Sequence, residues 1–492
     1  MQLSKKKYLF LGITLIVLWQ FSFFFVDQEK GFDSKAQVTG SSGLYSDQMK
    51  DFFYFFYRSG YFPLTSAVPQ RPTNQAEFEK LIAETGPSLR MEIYHTYRAG
   101  ELGKLFLYWP SVLIGWGLER LTVKYANSLF FTLSLIALFV SFWLCARPLL
   151  GSILVILLGS NPFQLYEVYV KENVFSWIVT SNLFAISLLL PLLLNKRLDW
   201  KRVGILILGL AVLVGSARQI RSEPMAISFV VLLVLAFYRH FNWKRRIFLA
   251  LGYLVALNLV TSVWSGYFDF KQRQAVAFVK ASGGIPLEIN PSRVHRVWHP
   301  LNLGLGDFDT KYGHKWSDAW AYDYAFPILN ERFQLGLHLH SSGLQFLESH
   351  DEHGVYYRKF EELPEFTQIV KEKYLGDIFA DPIWFLEIIV KRINRTLTEI
   401  PEISAQVLNL RAGVFVSGYI CFAILMFLIW NKSFFPLKLT AVAATTSLAA
   451  IVMHSGGGNT NYSIYQFVVV ALLVEFLIKK FILPNWKNFQ VT

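Results

Sequence analysis

The sequence predicts an all-α polytopic membrane protein of about ten transmembrane helices, with a large α-rich external domain between spans 7 and 8. Three observations predict it. Of 492 residues, 53% are hydrophobic and only 17% charged, and the mean hydropathy is +0.36. Long apolar runs are separated by short basic loops. When successive runs alternate direction, those basic loops fall on a single face.

The apolar runs lie near residues 8–26, 126–147, 149–162, 174–194, 202–217, 225–239, 246–265, 411–430, 437–454 and 461–479. The first follows Lys5, Lys6 and Lys7, and no small-x-small cleavage site precedes Asp27. It reads as a retained anchor rather than a signal peptide. The runs at 149–162 and 202–217 are short, as expected of spans that end in a protein-lined cavity.

Alternation places Lys5–Lys7, Arg147, Lys196 with Arg197, Lys201 with Arg202, Arg239 with Lys244–Arg246, Lys432 with Lys438, and Lys479–Lys480 on one face. By the positive-inside rule that face is the cytoplasm, and both termini are cytoplasmic. The expected location is a plasma membrane, crossed many times. The net charge of +12 is then topological and a contact for anionic membrane lipid, which excludes a nucleic-acid partner.

Three parts follow: an N-terminal transmembrane module, 1–265, with a first external loop at 27–125; an external, periplasmic domain, 266–410; and a C-terminal transmembrane module, 411–492. Within the first loop, Leu105 to Leu121 is apolar, but a span there would invert every later loop. It reads as an interfacial helix, with Trp109 and Trp116 at headgroup depth. Cys145 and Cys421 sit in or beside apolar runs, as small buried side chains.

Five groups of residues can carry chemistry on the external side. Asp47 and Asp51 lie one turn apart with Lys50 beside them, suited to accepting a proton from an acceptor hydroxyl; the plainer reading of the residues alone is a solvated amphipathic helix whose phenylalanines rest on the bilayer. The stretch Asn161 to Asn173 holds Glu167, Lys171 and Glu172. Glu167 and Lys171 can simply pair at i, i+4, or the acids can face a divalent metal or an acceptor while Lys171 faces a phosphate. Arg218 and Arg221, three apart, break the rule that short external loops avoid positive charge. They read as a phosphate clamp, or as an ion pair with Glu223.

The fourth group, Met453 to Tyr462, offers three glycines with His454, Asn459, Asn461 and Tyr462 as hydrogen-bonding groups; a flexible turn is the plain alternative. The fifth is a set of histidines in the external domain. His295 and His299 are spaced for a metal pair only on a helix, which Pro300 argues against. His338, His340, His350 and His353 read as structural or surface groups.

In its architecture and in these residues the chain resembles the GT-C superfamily of integral membrane glycosyltransferases, especially protein mannosyltransferases and lipid A aminoarabinose transferases. The residues are Asp47, Tyr125-Ala126-Asn127-Ser128-Leu129, Asn161-Pro162 to Asn173, Arg221-Ser222-Glu223 and Asn461-Tyr462. The resemblance covers roughly residues 1–265 and 411–480. It implies transfer of a sugar from a polyprenyl-phosphate donor to a glycan, lipid or protein acceptor, with Asp47 as base and Asp51 in reserve. Rival readings are a surface-polysaccharide ligase or polymerase, a lipid-linked substrate transporter or flippase, and a non-catalytic scaffold. A transporter is expected to show repeat symmetry, and none is evident.

Overall fold

The structure, a computed structural model, describes residues 5–25, 53, 56–57, 60, 76, 102–114, 121–170, 174–194, 196–281, 297–339, 346–351, 354–360, 363–407, 410–430, 434–452 and 460–482. Helices follow the apolar runs in the first half: α1 (Lys5–Ser22), α2 (Lys104–Ile114), α3 (Lys124–Leu144), α4 (Pro148–Gly159), α5 (Pro162–Leu165), α6 (Ser176–Leu193), α7 (Trp200–Ala217), α8 (Ala226–Phe237) and α9 (Trp243–Ala281). Then come α10 (Trp298–Gly304), α11 (Asp318–Phe333), strands β1 (Leu337–Leu339), β2 (Phe346–Asp351) and β3 (Gly354–Lys359), α12 (Pro364–Ala380) and α13 (Pro382–Thr398). Strands β4 (Glu402–Val407) and β5 (Leu410–Phe415) precede α14 (Gly418–Trp430), α15 (Phe435–Ala443), α16 (Thr445–Val452) and α17 (Ile464–Leu477).

Among the described residues, four helices are long and apolar enough to cross a membrane: α3, α6, α7 and the Trp243–Ala277 part of α9. The number reaches six if each of two bent pairs, α4 with Pro162–Val170 and α15 with α16, counts as one span. This is a membrane protein with fewer qualifying spans than the hydropathy runs suggested. Length and charge account for the difference. Helices α8, α14 and α17 have 12, 13 and 14 residues, against the roughly 20 a bilayer core requires. The 18 residues of α1 include Lys5, Lys6 and Lys7.

The expectation of an all-α chain is corrected. A three-stranded antiparallel sheet, order β1-β2-β3, pairs Leu337 with Ser349 and Phe346 with Lys359, and β4 and β5 form a hairpin pairing Glu402 with Phe415. The sheet closes over α10, α11 and α12, where Leu303, Tyr322, Leu329, Leu347, Phe360 and Phe366 form a separate core. Pro300 lies inside α10, within the first turn, where a backbone N–H has no helical partner to lose. The helix begins only at Trp298, so it carries His299 but not His295, which lies outside the described residues.

Helix α9 has 39 residues, about 58 Å at 1.5 Å per residue, and so continues well beyond a ~30 Å hydrocarbon core. Its outer face exposes Ile247, Phe248, Leu251, Val255 and Leu259. Helix α6 is the centre of the bundle, with 83% of its span buried. Where α15 breaks from α16, carbonyls lose their helical partners. Asn182 of α6 reaches them, its amide donating to Val442 O at 3.1 Å and Thr445 Oγ1 at 2.7 Å.

The two ends of the bundle are distinct. At one, Arg147 and Lys479 both bond the buried Glu475, at 3.1 and 2.7 Å, and Tyr238 Oη donates to Lys196 O at 2.7 Å. These are the basic loops that alternation assigned to one face. At the other end, Gly103 N bonds Gln219 O, Trp264 bonds Ser216 and Asn161 bonds Glu402 O. Helix α2 packs there through Leu105, Leu107 and Tyr108 and leaves Trp109 exposed; Trp116 lies outside the described residues.

Candidate functional site

A cluster of buried polar side chains forms where Asn161 and Pro162 end the short span α4. Asn161 caps α5, its Oδ1 accepting from Gln164 N, and Pro162 occupies the first helical position. The chain turns by 60° and continues as a π-helical turn, Tyr166–Val170. That turn carries Glu167 inward, to 1% exposure. A segment expected to be a polar loop is thus a buried, kinked helix. Such π-turns recur at functional sites because the extra residue redirects one side chain.

Gln164 donates its amide to Asn461 Oδ1 at 3.1 Å, joining this turn to the chain entering α17. Both residues are fully buried. The neighbouring Tyr462 is buried against Phe175, Ile178 and Ala450, and its carbonyl accepts from Ser447. The charges of Glu223, Arg221 and Glu167 all act on the Tyr462 phenol. Residues from three widely separated stretches therefore share one site.

Arg221 faces Glu223 in a two-pronged ion pair, with Nε donating to Oε2 at 3.1 Å and Nη2 to Oε1. Its guanidinium also lies 4.2 Å from the Phe175 ring centroid, a cation–π contact. Only 18% of the Arg221 side chain and 5% of the Glu223 side chain are exposed. The ion-pair alternative describes Arg221. Arg218 differs: it is the half-buried C-cap of α7, and among the described residues it forms no ion pair.

The structure thus brings Glu167, Arg221, Glu223, Asn461 and Tyr462 together and leaves Arg218 beside them on the α7 turn. Asp47, Asp51, Lys171, Glu172 and His454 lie outside the described residues. Gln164, Phe175 and Ser447 were not foreseen. Phe175 had no sequence signal, because an aromatic beside a span is ordinary until an arginine stacks on it. No group of three potential metal-ligating side chains occurs among the described residues, so Glu167 belongs to no such group there. Between α10 and α12, His299 lies 3.2 Å from Asp318, and the buried His314 lies 2.7 Å from Asp377.

The fold and site define a polytopic helical membrane protein with a buried acid, arginine and tyrosine cluster at one end of the bundle. No family model matches the chain, and no curated protein matches it. Among solved structures it is similar to the archaeal oligosaccharyltransferase AglB from Archaeoglobus fulgidus, in complex with an inhibitory peptide and a dolichol-phosphate. The identity is 11% and the TM-score 0.45, over 100% of this chain and 52% of that one. The chain spans about half the length of that protein. A likeness of this size establishes neither a family nor an activity.

Proposed function

We propose that the protein is a membrane glycosyltransferase that moves a sugar from a polyprenyl-phosphate donor to an acceptor at the external end of the bundle. The observation that carries this reading is the convergence of Glu167, Arg221 with Glu223, and Asn461 with Tyr462 on one site. Inverting transfer from a lipid phosphate needs a base for the acceptor hydroxyl and cations for the departing phosphate. Asp47 is the proposed base, with Asp51 in reserve. Arg218 and Arg221 hold the phosphate, the second only after sharing its guanidinium with Glu223, and Lys171 adds charge. His454, Asn461 and Tyr462 line the donor pocket. Glu167 and Glu172 face the acceptor or a divalent metal; no step is assigned to a metal.

The test uses the full chain in lipid nanodiscs with a synthetic polyprenyl-phosphate sugar, and reads release of polyprenyl phosphate. Asp47→Asn and Arg218→Ala are expected to lower release at least about a hundredfold and tenfold, the usual scale for a general base and a charge clamp. Binding of polyprenyl phosphate that is unchanged by Arg218→Ala and Arg221→Ala, in folded protein, contradicts the site assignment. No binding at all contradicts the function.

A further inference from the structure

Helix α13 carries three distinct faces. Trp384, Ile388 and Arg392 are buried against the protein. Ile383, Leu386, Val390 and Ile393, at spacings of three, four and three, form a stripe that is 71%, 60%, 62% and 40% exposed. Between these lie Glu387, Lys391 and Asn394, also exposed. A soluble domain would have turned the stripe inward or made it polar.

We propose that α13 lies in the headgroup layer of a lipid bilayer, with this stripe in the hydrocarbon boundary, and so docks the external segment onto the membrane. The argument rests on continuity with the lipid-facing bundle. Tyr419, at the start of α14, donates its hydroxyl to Asn394 of α13, and the next outward residues of α14, Ile420 and Phe422, are 53% and 58% exposed. Ile400 and Phe415, around the β4–β5 hairpin, extend the same apolar rim. The surface that α14 presents to lipid therefore runs on without interruption into α13.

Two further observations fix the orientation. Arg392 bonds Asp307, Gly304 O, Ile451 O and Val452 O, so α13 cannot roll its stripe away. Ile393 and Leu397 also line an apolar cavity of about 230 Å³ with Cys421, Leu425, Ile451 and Val469, so this edge of α13 sits over apolar side chains of the bundle. Lys391, 4.0 Å from Asp309 and 46% exposed, stands above the stripe where anionic headgroups lie.

The test is photolabelling of the full chain, one copy per nanodisc, with a carbene reagent dissolved in the bilayer, followed by peptide mapping. Residues 382–398 are expected to label within about threefold of 418–430 and about tenfold above the neighbouring α12, because interfacial helices sit at the acyl boundary. The pair Leu386→Glu with Val390→Glu is expected to abolish labelling of 382–398 and leave that of 418–430 unchanged. The wild-type comparison stands alone if that variant does not fold. Labelling of 382–398 no stronger than α12 overturns the proposal. Protection of the stripe from an aqueous carbene that arises only when copies associate overturns it in favour of a self-interface.

Discussion

Arg392 and Asp307 form an ion pair at 3.0 Å in which both side chains are almost completely buried, 2% and 3% exposed. The same guanidinium bonds the last carbonyls of α16, Ile451 and Val452. One side chain thus fastens α13 and the loop after α10 to the end of a broken apolar helix. It does so immediately before the glycine-rich stretch of sequence that begins at residue 453.

Removing one partner of such a pair leaves an uncompensated buried charge. Asp307→Ala strands Arg392 and also Arg395, 3.3 Å from the same carboxylate, and is expected to destabilise the protein by about 3–5 kcal/mol; joint replacement of Arg392 and Asp307 by apolar residues strands only the 30%-exposed Arg395 and is expected to cost distinctly less. Thermal unfolding in nanodiscs checks this. Equal losses for the single and double variants would show that the carbonyl bonds, not the pair, dominate.

Arg218 and Arg221 separate by stability as well as by activity. Arg218→Ala, touching no ion pair among the described residues, is expected to change stability by under about 0.5 kcal/mol. Arg221→Ala strands the buried Glu223 and is expected to cost about 3 kcal/mol. Donor-binding titrations beside unfolding curves distinguish the two effects.

Asn182→Leu removes the amide that serves Val442 O and Thr445 Oγ1 at the break between α15 and α16. Thr445 Oγ1 still donates to Val442 O at 2.8 Å, so the expected cost is about 0.5–1.5 kcal/mol, the net worth of one lost hydrogen bond. Hydrogen exchange should rise first in 442–448. A rise spread evenly over the bundle would contradict this local role.

Burial holds the His314 imidazole below the usual histidine range, with the carboxylate of Asp377 pulling the other way. The unfolded chain therefore binds the proton more readily. Stability is full above the unfolded value near 6.5 and falls with falling pH until the folded value is passed, at no more than about 1.4 kcal/mol per pH unit. His314→Gln is expected to flatten that slope between pH 7 and 5. Denaturant titrations that show stability rising over this interval would reverse the sign.

Much of the site was legible because its signals are local. Asn161-Pro162 is a capping asparagine followed by proline, and it ends α4 as that pattern requires. Arg221 and Glu223 are two residues apart and close on each other without help from the fold. The β1–β3 sheet escaped notice because its strands have three to six residues and alternate with charge instead of with a clear apolar face. Glu167 looked like half of a solvated i, i+4 pair. It is buried because the π-turn rotates it inward, and a single inserted residue leaves no compositional trace.

The sequence by itself determined that this chain enters a membrane and which basic loops gather at one end, because hydropathy and the placement of lysine and arginine act without reference to distant residues. The tertiary structure decided which polar residues meet. Gln164 finds Asn461 across 297 positions, and Arg392 finds Ile451 across 59. Such bonds form only after apolar burial has removed water from both partners, and no local pattern of residues specifies that pairing.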